Sequence, residues 1–161
     1  MNKKYDIPDY NKYLSLKVDL KMWVILLYLI HPYWILVLSI VNRKDRTALL
    51  NIVYPDRLPM SLAAAAAIPT LLVLYALKHR KPNANSKVRW LWRNGRLLLL
   101  LSTILYASVP FISITLASTY KASNSVWIQL GICVLITLYL LLSRRVRDTF
   151  SDFPVMQEDE K

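Results

Sequence analysis

One cysteine and two glycines in 161 residues exclude several classes of protein at the outset. A small secreted scaffold needs paired cysteines, and a phosphate-cradling loop needs clustered glycines, whereas Gly95 and Gly131 stand alone. Acidic residues are also scarce, 10 against 21 Lys and Arg, which leaves a net charge of +11. A disordered basic tail of that charge would be poor in apolar residues, yet 55% of this chain is hydrophobic. A soluble nucleic-acid-binding domain would disperse its apolar residues at periods of 2 or 3.6. Here they come in blocks, and what the blocks lack is charge.

Residues 22–41 (MWVILLYLIHPYWILVLSIV) hold a single ionisable group, His31. At a rise of about 1.5 Å per residue such a run crosses a hydrocarbon core of about 30 Å. Residues 58–77, 97–117 and 126–142 contain no charged residue. The expectation is an all-α membrane protein, a single domain over residues 1–161 with four transmembrane helices in a bundle. Residues 1–20 and 146–161 are then its tails. A cleaved signal peptide does not explain the first run, which is too long, has no small-residue cleavage site after it and carries Arg43-Lys44 on the wrong flank.

Outside the spans, 16 of the 21 basic residues fall in the two terminal segments and the 78–96 loop. The positive-inside rule therefore puts both termini and that loop on the cytoplasmic side. Reporter fusions after residues 50, 85, 122 and 161 are expected to read out, in, out, in, and any other order refutes this topology.

The loop KHRKPNANSKVRWLWRNGR has no acidic residue. Lys78, Arg80, Lys81, Lys87, Arg89, Arg93 and Arg96 are the residues placed to meet anionic lipid, with Trp90 and Trp92 at headgroup depth, although orientation alone also explains their charge. Pro82-Asn83 should end the preceding helix, and Ser86 is the expected N-cap of the next. In the first external loop, Leu49, Leu50, Ile52 and Val53 are too few to span and too apolar for water. They predict a short interfacial helix anchored by Tyr54, followed by a turn at Pro55-Asp56. The ending SDFPVMQEDEK is acidic and unpatterned, and reads as disordered.

An ionisable side chain within a span is a functional-site candidate, which singles out His31. Pro32 removes a backbone donor and frees the Tyr28 carbonyl, kinking the helix. The plain reading of His31 is interhelical hydrogen bonding to Ser or Thr of the third span; the sharper one is a protonatable relay, for which no intramembrane carboxylate or base supplies a partner. Pro69 and Pro110 put further prolines inside the second and third spans, and Ala63/Ala67 and Thr103/Ala107 match the small-residue spacing of close helix packing. Cys133, inside the fourth span, reads as structural. No residue set suits catalysis, a metal or a cofactor, so neither enzymatic activity nor a cofactor is expected.

The order and spacing of Asp9-Tyr10, Leu16-Lys17, Trp23, Pro32-Tyr33, Leu49-Leu50 and Tyr54-Pro55-Asp56, with Ile68-Pro69 in the second span, resemble the small YfeZ-like proteins of the bacterial inner membrane, a family of unknown function. The resemblance covers about residues 5–69. It implies four spans with both termini inside, and marks His31, Pro32, Tyr33, Tyr54, Pro55 and Asp56 as candidate functional positions. The function expected is a non-enzymatic subunit, assembly factor or scaffold of a membrane complex. The alternative is a small oligomeric transporter or lipid-handling protein with His31 facing a cavity. The partners expected are membrane lipids, and other membrane proteins or further copies of the chain, without nucleic acid.

Overall fold

A computed structural model describes residues 15–42, 53–54, 56–116 and 124–154. Every regular element in it is a helix: α1 (Leu20–Leu29), α2 (His31–Val41), α3 (Arg57–Ala66), α4 (Ile68–Lys78), α5 (Ser86–Arg93), α6 (Gly95–Leu116), α7 (Asn124–Leu142) and α8 (Arg144–Ser151). Two continuous stretches, Arg57–Lys78 and Gly95–Leu116, are long and apolar enough to cross a membrane. Two bent pairs raise that number to four if each is one span: α1 with α2 at 62°, and Val126–Leu142 with α8 at 64°.

Local chemistry sets the boundaries. Asp19 caps α1 by accepting the Leu20 N–H at 2.8 Å. Prolines 32 and 69 sit in the first turn of α2 and α4, where a missing N–H is tolerated, so the chain breaks just before each of them at Ile30 and Ala67. Helix α4 stops at Lys78 with His79 as C-cap, and Asn85, not Ser86, is the N-cap residue of α5. Ser143 leaves helical geometry to end α7, and its hydroxyl accepts the Val146 N–H to open α8.

Helix α6 is central and packs against α1, α3, α4, α5, α7 and α8. One buried cluster joins Met22, Leu26 and Leu29 of α1 to Val73, Trp92, Leu99, Leu140 and Phe150. A second gathers Ala63, Ala66, Tyr106, Val109 and Cys133, where alanine lets α3 approach α6 closely. Gly95 lets α8 approach the start of α6, since a Cβ there would overlap the Phe150 ring. The outward face is itself apolar, with Val24, Ile104, Leu135 and Trp127 all exposed.

Both ends of the described chain are packed, and of the ending read as disordered residues 151–154 are described while the rest lies outside the described residues. Val146, Thr149 and Phe150 form a buried stripe on α8, and Asp152 is tied to the rest of the fold. At the other end Ser15 and Leu16 are buried, so the segment leading into α1 is packed as well. Of the expected interfacial helix, residues 49–52 lie outside the described residues, while Val53 is helical and exposed.

Candidate functional site

The bend at Pro32 builds the site. Proline has no N–H for the Tyr28 carbonyl, and the neighbouring imidazole takes its place, with His31 Nδ1 2.6 Å from Tyr28 O. A carbonyl only accepts, so Nδ1 carries the proton and Nε2 of the neutral ring is an acceptor. That acceptor faces two phenols, Tyr54 Oη and Tyr106 Oη, each at 2.9 Å. Nε2 offers one lone pair, so it accepts from one phenol at a time.

Ring packing fixes the same arrangement. Tyr28 and Tyr54 lie roughly parallel to the imidazole at centroid distances of 5.5 and 6.2 Å, and Tyr106 meets it edge-on at 5.3 Å. The expected Ser or Thr partner of His31 is therefore replaced by tyrosines from two other segments. Ser102 and Thr103 are spent elsewhere, Ser102 on Thr70 and the Ala66 carbonyl, Thr103 on the Leu99 carbonyl.

The other candidate positions divide. Tyr33 donates to the Ala64 carbonyl at 2.9 Å, and Pro32 is buried. Asp56 is the N-cap residue of α3 but makes no capping bond through its side chain, and Pro55 lies outside the described residues. Tyr54 thus joins His31 directly.

At Pro32 and at Pro110 the carbonyl four residues upstream loses its usual N–H partner, and a side chain takes it instead. At Pro32 it is His31. At the Pro69 break the carbonyl four residues upstream is that of Ala65, and the side-chain bonds fall on its neighbours, Tyr33 on the Ala64 carbonyl and Ser102 on that of Ala66 at 2.6 Å. At Pro110 the freed carbonyl is that of Tyr106, and Gln129 of α7 donates to it at 3.1 Å. Helix α6 runs through Pro110 without a break.

The basic residues read as lipid contacts also divide. Arg80 is turned inward: its guanidinium donates to the carbonyls of Leu16 at 2.9 Å and Asp152 at 2.7 Å, and lies 4.4 Å from the Trp92 ring centroid. Burial pulls its pKa down to about 10 against the opposing pull of Asp152, so it remains cationic at neutral pH. Trp92 Nε1 bonds the carbonyls of Thr149 and Asp152, and Asp152 accepts the Leu16 N–H at 2.6 Å. This knot ties residues 15–16, α5 and α8 into one end of the molecule. Arg96 caps α7 through the carbonyls of Leu140 and Leu141. Lys81, Lys87, Arg89 and Arg93 stay exposed. No three His, Cys, Asp or Glu side chains converge to hold a metal among the described residues.

Fold and site together define an all-helical protein that is apolar outside and hydrogen-bonded across its helices inside. The chain belongs to the family described as Protein of unknown function (DUF2919), which matches over residues 5–152. No curated protein and no solved structure matches it.

Proposed function

We propose that this chain is a multi-pass protein of the bacterial inner membrane, with both termini cytoplasmic, acting as a non-enzymatic subunit, assembly factor or scaffold of a membrane complex. Within its family we group it with the small YfeZ-like proteins, on the residues quoted above. The observation that carries the reading is the use made of interior polar groups. His31, Tyr33, Ser102 and Gln129 each bond a carbonyl of the bent backbone, and His31 has both ring nitrogens engaged. Side chains used in this way hold helices together and are not presented to a substrate. A transporter with His31 facing its cargo would need one of those nitrogens turned outward.

The exposed apolar faces of α6 and α7 supply surface for lipid and for helices of a partner. Crosslinking in native membranes followed by native purification is expected to recover the chain with a distinct membrane protein or with further copies of itself. Recovery of monomer alone would remove the basis of the proposal.

A further inference from the structure

We infer that the arginine-rich end of the molecule holds a discrete binding site for the phosphate headgroup of one anionic phospholipid. Resting on the membrane reading above, it assigns that reading a specific lipid site. A groove of about 730 Å³ lies between α5, α6, the end of α7 and α8. Four arginines line it, Arg89 and Arg93 from α5, Arg96 from α6 and Arg147 from α8.

Their charge is largely uncommitted. Arg89 and Arg93 are exposed on one face of α5, and Arg89 touches only the Phe153 ring, 5.2 Å from its centroid. Arg96 uses Nε and Nη2 on the carbonyls that end α7, which fixes the guanidinium at the groove and leaves Nη1 for a ligand. Arg147 has one weak acidic neighbour, Asp148, at 3.9 Å. Four guanidinium groups lining one groove with so little acid suit a phosphate diester, because each fork can donate to its oxygens.

The rest of the lining separates a lipid from a soluble phosphate. Leu97, Leu100 and Leu141 continue the groove, and Leu97 and Leu141 are themselves 64% and 51% exposed. They run into the apolar outer faces of α6 and α7, where Leu101 and Leu138 are also exposed. Headgroup charge and acyl chain are therefore met in sequence by one continuous surface, as in basic pockets between helices that bind anionic headgroups. Arg80, in the same basic loop, is buried in the knot and takes no part.

Native mass spectrometry of the full chain in detergent tests this, with phosphatidylglycerol and phosphatidylcholine as probes. The expected result is retention of phosphatidylglycerol over phosphatidylcholine, reduced about 30-fold in the double variant R93Q/R147Q. Both residues are exposed, so folding is not at stake. The control K78Q/K81Q, equal in charge but off the groove, is expected to retain the lipid as the parent does. Equal retention of the two lipids, equal losses in the two double variants, displacement by inorganic phosphate, or preference for an RNA oligonucleotide would each overturn the site. Alkaline extraction of membranes tests the membrane reading separately. A chain that resists extraction and fails the lipid test overturns the groove alone.

Discussion

His31→Ala is expected to lower the stability of the purified protein by about 2–4 kcal/mol, a fall of roughly 5–15 °C in thermal midpoint for a chain of this size. The substitution strands the Tyr28 carbonyl, which Pro32 cannot satisfy, and removes the acceptor of one phenolic proton at Tyr54 or Tyr106. It also empties the space between three aromatic rings. A catalytic or relay histidine would behave oppositely, with activity lost and melting unchanged. An alanine variant that melts with the parent would therefore sink the bonding role.

Two further substitutions separate the halves of the network. Asparagine places an amide nitrogen near the position of Nδ1, so His31→Asn is expected to keep the Tyr28 bond and lose the phenols. Glutamine reaches further and offers a carbonyl near the position of Nε2, so His31→Gln should keep a phenol and lose Tyr28. Each is expected to recover part of the alanine loss. Thermal melting monitored by tryptophan fluorescence resolves the series, and identical melting of all three variants would contradict the division.

How much of this was legible in the sequence follows from the range of each cause. Apolar runs are local, and the helices follow them closely: the run at 97–117 corresponds to Gly95–Leu116, and that at 58–77 to Arg57–Lys78. The kink at Pro32 is equally local and readable. The partners of His31 are not, because Tyr54 and Tyr106 lie 23 and 75 residues away, and although Tyr54 stands out in its turn nothing local pairs either tyrosine with His31. The partner at Pro110 was hidden for the same reason, since Gln129, which bonds the freed Tyr106 carbonyl, lies on another helix. Arg80 was obscured differently: orientation by charge gives every basic residue of a loop the same reading, while burial singles out one. The α8 stripe carried a signal, the Val146 and Phe150 pair four residues apart, but it lies among the charged residues that precede an acidic ending.

Arg80→Gln is expected to be as damaging as any change in the apolar helices, although it lies in a loop. Arg80 is 7% exposed and connects three segments that are otherwise held at this end by few polar bonds. Breaking a buried charged contact set by removing one member costs about 3–5 kcal/mol where the remaining groups lose their partners. Glutamine can reach one carbonyl at most. Lysine keeps the charge but not the fork that spans Leu16 and Asp152, so Arg80→Lys is expected to rescue only a minor part. The ion pair itself contributes little, because Asp152 is 37% exposed and its carboxylate is 3.8 Å away; Asp152→Asn should cost less than about 1 kcal/mol. Trp92→Phe removes the donor to Thr149 and Asp152 and should fall between the two. Hydrogen exchange gives the readout that mere loss of charge would not move: the amides of α8 and of Leu16 are expected to exchange faster in Arg80→Gln, while those in the middle of α6 keep their protection. Uniform acceleration along the chain, or none at α8, would show that Arg80 does not hold the two ends together.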